Sequence, residues 1–152
     1  MSDTIIEVVK SYQDYLFSTY GKWYSDRYEE QAKTNLVGAK AEAATFAWLY
    51  WNDIEVKIGE TPKKGGVDFI CCAPNGSEFI VEVTAISSDK VDKVSKFPKP
   101  DQSGSFRLIT QQLKIAVEGK LKQIDQYNTP RIVVVASDHR AADILLQRFS
   151  LE

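Results

Sequence analysis

Two acids, Asp68 and Glu82, stand inside the apolar, β-branched runs GVDFICC and SEFIVEVTAI, which read as the two strands of a hairpin. Strand interiors are depleted in Asp, and an unpaired buried carboxylate is costly. The connecting residues Ala73-Pro74-Asn75-Gly76-Ser77 allow two turns. A two-residue Asn75-Gly76 loop pairs Pro74 with Ser77 and sends the two acids to opposite faces. A type I turn centred on Pro74 and Asn75, with Gly76 in a left-handed bulge position, pairs Ala73 with Ser77 and sets Asp68 directly opposite Glu82. Pro at the first central position and Gly two residues later favour the second turn. Opposed residues have Cβ atoms about 4.5–5.5 Å apart. Two carboxylates that close repel each other or share a proton, unless a divalent cation bridges them. Asp68, Glu82 and the backbone carbonyl of Val83 therefore make a plausible magnesium site, and Thr84 shares the Glu82 face. The plainer alternative is that both acids cap strand ends or meet lysines at a sheet edge.

The elements that would position these groups follow from periodicity. Apolar residues at helical spacing predict a helix over 3–20, interrupted at Gly21, and an Ala-rich helix over 35–51. Strands are expected at 54–58, 66–72 and 77–86, then a polar, Lys- and Pro-bearing loop over 87–104. A long helix is expected over 105–127, a continuously apolar strand buried on both faces over 131–137, and an amphipathic helix over 139–149. The fold class is α/β, in the order αβββαβ, with a mixed sheet flanked by helices and an extra N-terminal helical segment. One domain over 1–152 is expected: a helical extension at 1–33, a core at 34–137 and a C-terminal helix at 138–152.

Composition narrows the chemistry. Among 152 residues, 43% are hydrophobic and 26% charged, a globular balance, and no apolar run reaches the length of a membrane span. The opening residues lack a signal-peptide layout, so a cytoplasmic protein with no membrane association is expected. Cys71 and Cys72 are adjacent in a strand and should point to opposite faces, and His139 is the sole histidine, which argues against a Cys/His zinc site and a hydrolase triad. The net charge of −2 confines any nucleic-acid contact to a local patch. Lys63 and Lys64, just before Asp68, are placed to hold a phosphate, and Lys90, Lys93, Lys96 and Lys99 could touch one from the following loop. The N-terminal aromatics, Tyr12 and Tyr28 among them, could stack on bases but more simply form core or an interface, and Trp48 and Trp51 are expected in the core.

The order of these features resembles the PD-(D/E)xK, or restriction-endonuclease-like, nuclease superfamily. The resemblance is carried by GAKAEAATFAWL, by Asp68 in GGVDF, by Glu82 in VEVT and by the helix GKLKQI leading into RIVVV, spanning 35–136. It implies a restriction-endonuclease-like core and cleavage of a nucleic-acid phosphodiester, DNA above all, using Mg²⁺ with Mn²⁺ as a substitute. Asp68 and Glu82 would hold the metal, and Glu42 a metal-bound water or a second ion. The family's lysine falls at Thr84, whose hydroxyl can orient a water but carries no charge. Some members take that lysine from the next helix, where Lys120 is the best substitute and Lys122 points further outward; Gln123 would bind phosphate or the attacking water. A homodimer or a larger nuclease or repair complex is compatible with that role. A catalytically degenerate nuclease-fold module that binds nucleic acid or a protein partner is the alternative.

Overall fold

The computed structural model describes residues 2–89 and 102–138. The loop lysines Lys90, Lys93, Lys96 and Lys99 and the helix expected at 139–149 lie outside that range, as does His139. The described chain runs α1 (Ser2–Tyr20), α2 (Lys22–Thr34), α3 (Leu36–Trp51), β1 (Glu55–Ile58), β2 (Phe69–Cys72), β3 (Glu78–Ile86), α4 (Gln102–Ile124) and β4 (Arg131–Ser137). This is an α/β protein whose four strands form one mixed sheet in the order β1-β2-β3-β4, antiparallel except for the parallel β3–β4 pair.

Two breaks shape the helical layer. Gly21 (φ 94°) adopts a conformation that L side chains rarely adopt and turns α1 into α2. Asn35 then caps α3, its Oδ1 accepting from the Gly38 amide at 3.1 Å. A Cβ at position 38 would run into that cap, 2.3 Å from Asn35 Nδ2.

Alternation along β3 assigns the two faces of the sheet. Val81 and Val83 pack with Phe69 and Cys71 against Tyr12, Leu16, Tyr28, Ala39, Ala43, Phe46 and Leu49 of α1–α3. Ile80 packs with Val67 against Ile124 of α4 on the other face. Helices therefore cover both faces, as expected.

Four expectations are corrected. Trp48 and Trp51 are 60% and 71% exposed. The helix α3 is apolar almost all round, so periodicity cannot select its inner side; Ala39, Glu42, Ala43, Phe46 and Leu49 occupy it. Strand β4 is half-buried, with Ile132 exposed, because it ends the described strand order and lacks a second described neighbour. Strand β2 begins at Phe69 and leaves Asp68 just outside it. Helix α4 begins at Gln102 and ends at Ile124, three residues earlier at each end, and Leu121 of its expected apolar side is exposed.

Candidate active site

The hairpin takes the register that brings the acids together. The Ala73 amide donates to the Ser77 carbonyl at 2.9 Å, the Gly76 amide donates to the Ala73 carbonyl at 2.8 Å, and Gly76 holds φ 83°. These are the bonds of a type I turn followed by a bulge. Phe69 faces Val81, so one step further Asp68 faces Glu82.

At that step the sheet splays. The Asp68 carbonyl still accepts from the Gly59 amide at 3.2 Å, so the chain follows β1. On the β3 side, ladder parity assigns the Val83 amide to the carbonyl of Val67. It donates instead to Asp68 Oδ2 at 2.7 Å. The Asp68 amide in turn donates to Glu82 Oε2 at 3.0 Å. Each carboxylate thus accepts from backbone at the opening, a bond stronger than its neutral counterpart.

Two clefts meet there. The first, about 440 Å³, is lined by Arg27, Gln31, Asn35, Glu42, Asp68, Thr84 and Lys120, among others. The second, about 550 Å³, is lined by Lys64, Gly66, Glu82, Gln123 and Tyr127, among others. Lys120 joins them: its Nζ lies 2.6 Å from Glu82 Oε1, and the Glu82 side chain is only 3% exposed. The ammonium thus offsets a charge that burial alone would make costly.

Burial pushes the Asp68 carboxyl up to about 7; the neighbouring Glu82 and Glu42 charges act in the same direction, while the Val83 amide and Lys120 act against them. Glu42 is buried on α3 beside Asp68, and desolvation raises its pKa against the pull of its own hydrogen bonds. Its Oε1 accepts from the Tyr12 hydroxyl and its Oε2 from Gln31 Nε2, each at 2.9 Å. Glu42 is therefore anchored by α1 and α2.

Asp68, Glu42, Lys120 and Thr84 line the first cleft, while Glu82, Lys64 and Gln123 line the second, with Glu82 tied to Lys120 across the two. Lys63 and Lys122 are exposed and line neither cleft. Sequence reasoning favoured core or an interface for Tyr12, which is buried in the core, but missed its bond to Glu42, and it missed Gln31 and Arg27 altogether. The only local signal was the four-residue spacing of Arg27 and Gln31, which puts them on one side of a helix.

Among the described residues, no group of three His, Cys, Asp or Glu side chains could hold a metal ion. The oxygen donors at hand are the carboxylates of the opposed pair Asp68 and Glu82. That chemistry fits a hard cation, Mg²⁺ in particular, which keeps several waters and takes only one or two carboxylates from the protein. No protein-family model, curated protein or solved structure matches the chain.

Proposed function

We propose that the protein is a Mg²⁺-dependent nuclease that hydrolyses DNA phosphodiesters, built on a restriction-endonuclease-like core formed by α3, the four strands and α4. The observation that carries the reading is the opposition of Asp68 and Glu82 at a splayed hairpin with Lys120 Nζ 2.6 Å from Glu82. Asp68, Glu82 and the Val83 carbonyl would hold the metal, which when bound supplies a more acidic water and neutralises charge gathering on the phosphate. Lys120 takes the place of the cation that position 84 lacks: its ammonium donates to the attacking water or to a phosphoryl oxygen. Thr84 offers a hydroxyl in the same cleft and orients that water. Lys64 and Gln123, in the second cleft, hold the polynucleotide beside the reacting bond. Glu42, bonded to Tyr12 and Gln31, fixes a negative charge beside Asp68.

Incubating plasmid DNA with the protein and Mg²⁺ or Mn²⁺, alongside Asp68→Asn and Glu82→Gln, tests this. Nicked or linear product that disappears in both variants is the expected result; cleavage that persists equally in both overturns it.

One observation favours a second reading, a degenerate nuclease-fold module that binds without cutting. Lys120 occupies Glu82 as a direct ion-pair partner, and Thr84 is neutral. Calorimetric titration with Mn²⁺ separates the two: binding that Glu82→Gln abolishes supports the enzyme, and no uptake supports the module.

A further inference from the structure

The first cleft carries a cation that the reading above leaves unused. Arg27 lies one helical turn before Gln31 on α2, so both project from the same side, and both line the cleft that contains Asp68 and Lys120. The Arg27 guanidinium pairs with Glu60, in the segment joining β1 to β2. Its charge also reaches Glu42, stabilising the ionised form of that carboxylate.

The arrangement matters because of the sign of the cleft. Glu42, Asp68 and Glu82 together would repel a polyanion, and Lys120 is already engaged with Glu82. Any anion entering beside Asp68 needs a second cation. Arg27 is the other cationic side chain lining that cleft among the described residues. A guanidinium also matches phosphate with two parallel N–H donors, which a lysine cannot do.

The Arg27–Glu60 pair is not sealed. The two side chains are 42% and 20% exposed. Ion pairs that meet solvent contribute little, so exchanging the partner costs little. Glu60 is also held independently of Arg27. The next residue, Thr61, exchanges two backbone bonds with Gly65, each 3.1 Å, and Gly66 closes onto Gly59 so tightly that a Cβ at 66 would lie 2.4 Å from the Gly59 carbonyl oxygen. The loop keeps its shape by main-chain contacts, leaving the guanidinium free to change partner.

We infer that Arg27 is a substrate-anchoring residue that grips a backbone phosphate of the nucleic acid, and that Glu60 is the resting counter-ion which this phosphate displaces. The inference rests on the nucleic-acid reading of the cleft and adds a binding residue that the N-terminal helices supply.

The test uses the full chain and a short fluorescein-labelled DNA duplex in EDTA, with affinity read by anisotropy across a salt series, so that no cleavage is involved. Arg27→Ala should weaken binding about tenfold and flatten the slope of log affinity on log salt by about 0.9, the signature of one lost phosphate contact. Arg27→Lys should recover part of the affinity. Glu60→Gln should move the other way, tightening binding about two- to fivefold, the range expected from releasing one exposed ion pair. If the pair is merely a strut between α2 and the loop, Arg27→Ala and Glu60→Gln weaken binding together and lower the melting temperature together, and the inference falls. Absence of duplex binding by the wild type also overturns it. Plasmid cleavage in Mg²⁺ is scored separately. Cleavage by the wild type with affinity indifferent to Arg27 sinks this inference alone. Arg27-dependent binding without cleavage sinks only the catalytic reading.

Discussion

The Val83 amide donates to Asp68 Oδ2 at 2.7 Å, at the rung where the ladder assigns it a main-chain oxygen. A carboxylate thus substitutes for backbone at the point where the hairpin opens. The same side chain that we propose as a metal ligand also closes the last rung between β2 and β3, so its proposed chemistry and its structural role are coupled.

That coupling gives a pH dependence with a definite sign. The Asp68 carboxyl titrates at about 7 in the folded chain against an ordinary value of 3.8. Between these values the folded state binds more protons than the unfolded one, so without divalent metal stability should fall as pH rises from about 4 to 7 and then level off. Asp68→Asn keeps an oxygen for the Val83 amide and removes the charge. It should flatten this profile and raise stability at pH 8, by up to about 4 kcal/mol on the size of the shift. Urea unfolding across pH in EDTA checks it; an Asn variant less stable than wild type at pH 8 would contradict the desolvation argument.

How far such a site can be read in advance depends on the range of the interactions. The turn was legible because Pro74 and Gly76 are local: the φ 83° at Gly76 needs no information beyond four residues, and it sets the register at Asp68 fourteen residues from Glu82. Lys120 was legible as a position on or beside the helix face that meets the sheet. The partners of Glu42 were not, because Tyr12 and Gln31 are thirty and eleven residues away on separate helices and their approach is decided by packing. The exposure of Trp48 and Trp51 was hidden for the opposite reason: a helix with apolar residues on every side carries no local signal of direction. The splay at Asp68 was also illegible, since GGVDF continues a strand pattern without interruption.

Removing the ammonium from Lys120 should expose the cost of burying Glu82. Lys120→Met leaves a carboxylate that is 3% exposed without its 2.6 Å partner, and we expect a loss of about 2–4 kcal/mol at pH 8. Adding Glu82→Gln should return most of it, because no charge then remains to be solvated. A double-mutant cycle from chemical denaturation gives the coupling; strict additivity of the two changes would refute direct pairing.

Tyr12→Phe should cost about 1–3 kcal/mol at pH 8 by depriving the buried Glu42 carboxylate of a donor. The penalty should shrink in acid, where a protonated Glu42 no longer presents a bare charge. Thermal melts at the two extremes measure the difference, and a pH-independent penalty would assign the loss to packing.

Gly66→Ala and Gly76→Ala should separate two kinds of glycine. At Gly66 (φ 150°) a Cβ meets the Gly59 carbonyl oxygen at 2.4 Å, whereas at Gly76 (φ 83°) nothing lies within 4 Å. The second carries only the conformational penalty, about 1 kcal/mol. The first adds a backbone clash and should cost at least about 2 kcal/mol. Equal effects in denaturant titrations would mean the β1–β2 segment relaxes freely.

The bonds from Tyr12 and Gln31 to Glu42 have a consequence for dissecting the chain. Tyr12, Leu16 and Tyr28 belong to the same apolar cluster as Phe69 and Val83, so the first two helices are part of the main core. A fragment starting at residue 34 would present to water the surface they cover and would leave a carboxylate stranded in it. Such a fragment should be recovered as aggregate, so loss of activity on trimming the N-terminus would report collapse of the fold and could not be scored as removal of an accessory arm.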